Sequence, residues 1–351
     1  MIGLDISDRS VKIIELTDEK IPRLRTACWG SLPPNLMRRG IIRDPVKTVT
    51  AIQAIMKNCN PVPLASSAVV ASIPETRSFV RVVELPVMSD RETDEAVQWA
   101  IRQHIPFDLD RVYLDWQPII NNNPSSNRRA VLVGAAQKEV IDPLLSVLDS
   151  LELRVVGLEL EAQAIVRSLL PFDNADIASV LLLDLGATST NIIYFDQGAM
   201  RFTSSLPRGG DDLTRHLMQK LHLQPSIAAE KKALVGVAHD ASDPTIAAAL
   251  REATLNLVQQ IDKTVHEVVS TGVSEHKLNA IVLTGGAANL PGITEVFAEV
   301  FPSTAVQFGN PLINLEVDDG NKNAPLSSSD AAHFGTAIGL ALRDEEKEEK
   351  R

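Results

Sequence analysis

Two short segments combine an aspartate with a turn of small polar residues. MIGLDISDRSVKIIEL (1–16) carries Asp5 at the end of an apolar run, and LLLDLGATSTNII (181–193) carries Asp184 in the same position. Consecutive backbone N–H groups in such turns can bind phosphate oxygens. Two facing aspartates could organise a hydrated Mg²⁺, which keeps most of its waters. Lys12 follows the first turn and could reach a phosphate as a point charge.

A third turn, LTGGAANLPG (283–292), follows an apolar strand pattern and precedes a helix. Glycine at such a position allows the backbone to approach a planar ligand closely. Each of the three turns, taken alone, is equally compatible with an ordinary hairpin or strand-to-helix connection. The hypothesis of a phosphate site therefore depends on the set of turns.

Strand and helix patterns alternate along the chain and predict an α/β fold. Residues 2–6 and 11–16 have the pattern of strands, 45–58 has helical spacing, and 67–74 is a buried strand ended by proline. The order β-α-β-β-α over 73–150 predicts a compact insert. The outline of strand, aspartate, turn and strand occurs in both halves of the chain, which indicates a weak internal duplication.

The composition excludes several classes of function. The 351 residues suffice for two or more domains, and the 44% hydrophobic and 23% charged content is typical of a soluble globular protein. A formal charge of −11, spread along the chain, argues against non-specific nucleic-acid binding. Apolar runs stop short of the roughly 18 residues of a transmembrane segment, and no signal-peptide pattern is present. We expect Cys28 and Cys59 to be reduced thiols in a cytoplasmic protein.

Five segments in order resemble the motifs of the actin-like ATPase superfamily, which includes actin, the DnaK-type chaperones, MreB and FtsA. The two aspartate turns resemble its phosphate motifs, LRVVGLELEAQAIV its connecting motif, IVLTGGAANLPGI its adenosine motif and HFGTAIGLAL its closing helix. The resemblance implies two RNase H-like domains around a nucleotide cleft. The first lobe would be residues 1–72 and 151–175 and the second 176–343, with 73–150 as an inserted subdomain and 344–351 as a disordered charged tail.

The insert resembles that of the PilM family, cytoplasmic actin-like proteins of type IV pilus assembly. ELPVMSDRETDEAVQWAIRQHIPFDLDRVYLDWQPI (84–119) carries the Leu-Pro, the helix with Ala96 and Trp99, the HIPF and the Asp-Trp of that insert. FtsA, the nearest relative, usually ends in a basic amphipathic membrane helix, whereas RDEEKEEKR (343–351) has no apolar face. This difference in the C-terminal segment favours a resemblance to the PilM family over one to FtsA.

The resemblance implies which residues bind ATP (or ADP) and Mg²⁺. Asp5 and Asp184 would hold the ion through water, Lys12 would lie beside the phosphates, and Glu161 would position water for a weak ATPase, with Glu159 as the competing candidate. Ser7 stands where the family usually has Gly, which affects how tightly the first turn wraps a phosphate. The other implied nucleotide-binding residues are Ser7, Asp8, Arg9, Ser10, Gly186, Ala187, Thr188, Ser189, Thr190, Gly210, Asp211, Glu230, Lys231, Gly285, Gly286 and Ala287.

The resemblance also implies a partner, the N-terminal cytoplasmic segment of a PilN-like inner-membrane protein, bound as an extended peptide under nucleotide control. Pilus assembly ATPases are further implied partners, and the protein would lie in the cytoplasm, peripheral to the inner membrane. Trp99, Ile101, Ile105 and Phe107 are candidates for the peptide groove, and the alternative is that most of them belong to the core of the insert. The alternatives are a related secretion system, an FtsA-like filament protein of cell division, and a small-molecule kinase of the same fold.

Overall fold

The computed structural model describes residues 1–102, 108–118, 128–172, 177, 179–270, 276–317 and 325–343. The predicted charged tail, 344–351, lies outside the described residues. None of the helices in the described part of the chain combines the length and the hydropathy that a bilayer span requires.

Strands and helices alternate along the chain, as the sequence pattern predicts. The strands are β1 (Ile2–Ile6), β2 (Ser10–Leu16), β3 (Leu24–Ser31), β4 (Met37–Arg38), β5 (Ile41–Ile42), β6 (Ala68–Ile73), β7 (Ser78–Pro86), β8 (Val112–Pro118), β9 (Arg128–Gln137), β10 (Arg154–Leu160), β11 (Val180–Leu185), β12 (Thr190–Asp196), β13 (Ala199–Leu206), β14 (Ala280–Thr284) and β15 (Ala305–Phe308). The helices are α1 (Pro45–Met56), α2 (Asp90–Ile101), α3 (Lys138–Ser150), α4 (Glu161–Leu169), α5 (Gly210–Leu221), α6 (Pro225–Val235), α7 (Pro244–Ser270), α8 (Ile293–Val300), α9 (Ser328–Ala331) and α10 (Gly335–Ala341).

Two five-stranded sheets share one topology and form the centres of two lobes. The first lobe has the order β10-β6-β1-β2-β3, and the second has β15-β14-β11-β12-β13. In each sheet a central strand pairs antiparallel with the strand that follows it and parallel with a later one. The central strands are buried along almost their whole length, because helices cover both faces. The matching sheets confirm the predicted duplication and the predicted α/β fold.

Helices cover the first sheet on both faces and link it to the second. On one face, Ile52 of α1 and Leu148 of α3 pack against the core of β1 and β6. On the other face, α10 contacts β1 and also α4. Gly3 is needed there, because a Cβ would lie 2.0 Å from the Ala337 carbonyl oxygen. The helices α4 and α10 thus lie on the inner face of the first lobe.

The insert forms a third, smaller sheet with the order β7-β9-β8. Helix α2 begins with the predicted capping box, in which Ser89 and Glu92 exchange side-chain and backbone hydrogen bonds. Its buried residues Val97 and Ile101 pack on Val131 and Val133 of β9. Strand β8 lies at the edge of this sheet. Its outer side is therefore available for pairing with another extended segment.

The two cysteines form a disulfide, so the expectation of reduced thiols is wrong. Cys28 on β3 is joined to Cys59, which follows α1, and their Cα atoms are 4.5 Å apart. The neighbouring residues Ala27 and Asn60 form an antiparallel bridge that brings the two segments together. This contact depends on the three-dimensional fold and could not be seen in the spacing of two cysteines.

Candidate functional site

The first lobe contributes an aspartate and a lysine that face each other across a hairpin. Asp5 near the end of β1 lies opposite Lys12 on β2. The Lys12 Nζ is 3.0 Å from Asp5 Oδ2, and the Ser72 hydroxyl donates to Asp5 Oδ1 at 3.1 Å. Only 4% of Asp5 is exposed. Since a buried charge requires such partners, they fix the carboxylate at the carboxyl end of the sheet.

The second lobe places Asp184 at the matching position. Asp184 lies opposite Asn191 on β12, whose Nδ2 is 3.5 Å from Asp184 Oδ2. Burial raises the pKa of Asp184 to about 6, while the Lys12 charge lowers it and Asp5 raises it. Burial lowers the pKa of Lys12, but Asp5 and Asp184 outweigh burial and leave that pKa raised. Arg9 of the first turn pairs with Asp211, whose N–H binds the second turn, so the two hairpins meet in one site between the lobes.

Glu161 lies in this site and Glu159 does not. Asn191 Nδ2 donates to Glu161 Oε2 at 2.7 Å, and the Ser205 hydroxyl holds the amide by donating to Asn191 Oδ1 at 2.8 Å. Burial, followed by the charges of the two hairpin aspartates, raises the pKa of Glu161 well above its usual value. Glu159 instead forms an ion pair with Arg167, at 2.9 Å between Oε2 and Nη1. The geometry therefore favours Glu161 of the two candidates.

Two serines close the first-lobe turn. The Ser7 N–H donates to the Ser10 carbonyl at 2.9 Å, and the Ser7 hydroxyl donates to the same carbonyl at 3.0 Å. Ser7 is not one of the described residues with a positive φ, so the backbone accommodates a residue other than Gly. The Asp8 carboxylate points away, accepting from the N–H groups of Arg39 (2.7 Å) and Gly40 (2.8 Å). Only the backbone of Asp8 is therefore left to face a phosphate.

Arg9, at the tip of the first-lobe turn, reaches across to the second lobe. Its Nη2 and Nε lie 2.7 and 3.0 Å from Oδ2 of Asp211, near the start of α5. Both residues were predicted to bind nucleotide, and the structure pairs them with each other. This ion pair closes one side of the cleft between the lobes.

The second-lobe turn is held against the start of α5. The Gly186 N–H donates to the Ser189 carbonyl at 2.9 Å. The carbonyls of Gly186 and Ala187 accept from the N–H groups of Gly210 (2.9 Å) and Asp211 (2.8 Å). Turn and helix therefore form one rigid wall. The other two predicted residues of the turn are Thr188, which is exposed, and Thr190, which is buried and donates through its hydroxyl to the Arg208 carbonyl.

The third turn approaches the site through glycines. Gly285 has φ +86°, and a Cβ there would lie 2.3 Å from Asp184 Oδ1. Gly286 lies beside His333, whose Nδ1 would be 3.2 Å from its Cβ. His333 Nε2 is 2.7 Å from Asn289 Nδ2, and burial, together with the Lys12 charge, lowers the pKa of His333. His333 was not predicted, although it is the first residue of the closing segment HFGTAIGLAL.

Lys232 reaches the site from α6, whereas the sequence prediction named its neighbour Lys231. Lys232 Nζ donates to the Gly210 carbonyl at 2.8 Å, and burial lowers its pKa. A Cβ on Gly210 would lie 3.2 Å from Ala287 Cβ, so α5, α6 and the third turn meet at this point. Glu230 is exposed and Lys231 is half-buried. The segment was identified by sequence, but the direction of each side chain was not.

A buried glutamate, Glu75, was also missed. It follows Pro74 at the end of β6, is 7% exposed, and has its pKa raised by burial to about 7. The Thr203 hydroxyl of β13 donates to its Oε1. A charged residue just after a strand usually lies in solvent, so the sequence held no signal for this burial.

A groove of about 2200 Å³ runs between the insert, α4 and the β12–β13 hairpin. Edge strand β8 lines it, together with the exposed apolar side chains of Tyr113, Leu145 and Phe172. The groove thus presents apolar surface and the edge strand β8, which pairs with β9 alone among the described strands.

The predicted groove residues lie elsewhere. Trp99 is 75% exposed but is not on the wall of this groove, and Ile101 is buried in the core of the insert. Of the two alternatives for Ile101, the structure supports the core of the insert, because Ile101 shares the buried face of α2 with Val97. Ile105 and Phe107 lie outside the described residues.

The carboxylates suit a cation held through water. No group of three or more His, Cys, Asp or Glu in the described ranges is arranged to coordinate a metal directly. Asp5 and Asp184 approach from opposite lobes, and Asp184 has a raised pKa. Mg²⁺ keeps several waters and needs few direct protein ligands, so this oxygen donor set fits a hydrated ion.

Comparison with known proteins identifies the family. A family model described as type IV pilus assembly protein PilM matches residues 3–345. The chain belongs to the PilM family. It has the actin-like ATPase fold, and the FtsA alternative fits this match less well.

Solved structures share the fold of this PilM-family chain, and a curated relative is similar in sequence. The structure is similar to a solved PilM–PilN type IV pilus biogenesis complex, with TM-score 0.81, 22% identity and 97% of each chain covered. It also resembles MreB5 of Spiroplasma citri bound to AMPPNP, with TM-score 0.56, 11% identity, and 99% of this chain and 97% of that chain covered. FtsA of Neisseria meningitidis serogroup B is 25% identical over 89% of this chain and 82% of its own length.

Proposed function

We propose that the cleft between the lobes binds ATP (or ADP) with Mg²⁺. The observation that carries the proposal is that two aspartate-bearing hairpins from two lobes meet, since Arg9 of the first turn pairs with Asp211, whose N–H binds the Ala187 carbonyl of the second turn. The MreB5 neighbour, which has the same fold, was solved with AMPPNP. A shared triphosphate would explain why both lobes bring a carboxylate and a glycine- or serine-rich turn to one place.

Each part of the site has a distinct task in this proposal. Lys12 stabilises phosphate charge, and the backbones of the two hairpin turns (7–10 and 186–190) bind phosphate oxygens. The nucleoside lies against Gly285, Gly286 and Ala287, with Lys232 at its edge. Asp5 and Asp184 hold the hydrated Mg²⁺, which supplies charge neutralisation at the phosphates when bound.

Hydrolysis, if it accompanies binding, depends on Glu161. Its carboxyl is fixed by Asn191 and lies in the field of both aspartates. It could orient a water molecule toward the terminal phosphate. We assign the protein a weak ATPase at most, because Glu161 is the carboxyl assigned to the water and a carboxyl is a weak base.

We further propose that the groove beside β8 binds the N-terminal cytoplasmic segment of a PilN-like membrane protein, and that this partner holds the protein at the inner membrane. An extended peptide could pair with the β8 edge and place apolar side chains against Tyr113, Leu145 and Phe172. The similar PilM structure was solved in complex with PilN, which supports a partner of this kind. Pilus assembly ATPases are further candidate partners.

Nucleotide control follows from the position of the groove. Its walls include Trp116 of the insert, Arg167 of α4 and Arg201 of β13, and so belong to both lobes. A nucleotide that binds the closed arrangement of the lobes more tightly than the open one would shift the width of the groove.

Calorimetry on an Asp184→Ala variant tests the nucleotide site. The change should abolish Mg²⁺-dependent ATP binding, whereas Asp149→Asn, at an exposed position on α3, should leave it unchanged. Wild-type affinity in the Asp184 variant would count against the site.

A pull-down with the N-terminal cytoplasmic peptide of a neighbouring pilus membrane protein, with and without ATP and Mg²⁺, tests the partner. Phe172→Ala should weaken binding by about fivefold or more, the cost of losing an interface aromatic. Trp99→Ala is the matched control, since Trp99 is exposed away from the groove. Equal weakening by both changes would contradict the assigned groove.

A further inference from the structure

Glu75 is a buried carboxyl that the proposed nucleotide chemistry does not use. Its Oε1 accepts from Thr203, and its Oε2 has no partner at hydrogen-bond geometry among the described residues. Placing a carboxyl in such surroundings is costly. A glutamine or an apolar residue would fill the same space at lower cost, so the position calls for an explanation.

The carboxyl lies at the start of α4, the helix that begins with Glu161. The Ala162 N–H, one residue further on, approaches Glu75 closely enough to lower the Glu75 pKa. The N-cap residue of α4, Leu160, makes no side-chain capping bond. The N-terminal end of a helix is the positive end of its dipole, so a carboxyl beside it interacts favourably with the helix. Among the described residues Glu75 forms no capping hydrogen bond, and it contributes to α4 by its position beside the first turn.

Side chains of the second lobe form hydrogen bonds that fix both Glu75 and Glu161. Thr203 and Ser205 are two residues apart on β13 and so point to the same face of the strand. Thr203 donates to Glu75, and Ser205 holds Asn191, which donates to Glu161. Two parallel polar contacts therefore dock the first turn of α4 onto the second lobe.

We propose that Glu75 is a positioning residue for Glu161, which it keeps in place by lying beside the first turn of α4 and binding Thr203 across the lobes. The proposal rests on the proposed nucleotide function and adds a residue to it. Glu75 acts through Glu161 and touches neither nucleotide nor metal. Its loss should therefore affect the hydrolytic step and leave nucleotide binding nearly intact.

The test is single-turnover ATP hydrolysis with Mg²⁺, measured with nucleotide affinity on the same full-length proteins. Glu75→Ala should lower the hydrolysis rate by about tenfold or more, since a displaced catalytic group loses up to about a hundredfold. Affinity should change by less than about threefold. Glu75→Gln keeps the shape and the acceptor for Thr203, so it should restore most of the rate.

A second pair of variants tests the contact from the other lobe, in case Glu75→Ala fails to fold. Thr203→Val removes the hydroxyl and should lower the hydrolysis rate as Glu75→Ala does. Thr203→Ser keeps the hydroxyl and should keep the wild-type rate. Equal losses of rate and affinity would show a merely structural role and overturn the proposal. A wild-type protein that binds ATP without turnover would overturn it too, while leaving the nucleotide site intact; absence of any nucleotide binding would instead refute the proposed function.

Discussion

The raised pKa of Glu75 makes a quantitative prediction about stability and pH. Burial raises this pKa from 4.5 to about 7. The folded state therefore binds the proton more tightly than the unfolded state does. For a raised carboxyl, the free energy of unfolding falls as the pH rises from the unfolded pKa to the folded one. This contribution to stability is thus present in acid and is lost by about pH 7.

The size of the effect follows from the two pKa values. The difference between 4.5 and about 7 corresponds to about 3 kcal/mol of unfolding free energy. In Glu75→Gln the side chain does not titrate. The stability of the variant relative to the wild type should therefore increase as the pH rises. For a chain of this length, about 3 kcal/mol is a shift in Tm of about 4 °C.

Thermal unfolding of the two proteins at a series of pH values measures this difference. Asp184 and Glu161 also have raised pKa values. The contribution of Asp184 cancels between the two proteins, whereas the Glu75 charge also raises the Glu161 pKa, so the comparison measures Glu75 together with its effect on Glu161. We expect the Tm of Glu75→Gln minus that of the wild type to increase by about 4 °C between about pH 4.5 and pH 8. A difference that stays flat with pH would refute the argument that burial raises the pKa of Glu75 to about 7.

Three substitutions in the nucleotide site have distinct expected outcomes. Lys232→Ala should weaken nucleotide binding about tenfold, the value of a hydrogen bond from a charged group, whereas Lys231→Ala should change it by less than about twofold in calorimetry. Gly285→Ala should destabilise the fold by at least about 1–2 kcal/mol and disrupt binding, because its φ of +86° and the Asp184 carboxylate leave no room for a Cβ; wild-type Tm and affinity would contradict this. Glu161→Gln should slow hydrolysis about a hundredfold with affinity kept, and unchanged turnover would remove its role.

Much of the fold was predictable because its signals are local. Each hairpin with its aspartate lies within one continuous segment, 2–16 or 180–196, so its strands and turn could be identified without knowledge of the rest. The capping box of Ser89 and Glu92 is a similar case. The burial of Ile101 could also be predicted from the sequence. Val97 and Ile101 lie four residues apart on one face of α2, and Trp99 lies on another.

The missed features depend on contacts between distant segments. Lys232 and Lys231 are adjacent on α6, and the packing of that helix against α5 and α7 decides which of them reaches Gly210. The burial of Glu75 depends on Thr203, which is 128 residues away. The pairing of Cys28 with Cys59 likewise depends on a bridge between two segments. Sequence spacing carries no information about such contacts.

The central claim is that two lobes bring their hairpins to one triphosphate. A crystal structure of the protein with Mg²⁺ and a non-hydrolysable ATP analogue tests it most directly. We predict density for the phosphates between the turns that follow Asp5 and Asp184, with Lys12 beside them and the base near Gly286. Density at another surface, with nothing bound between the two hairpins, would contradict the account.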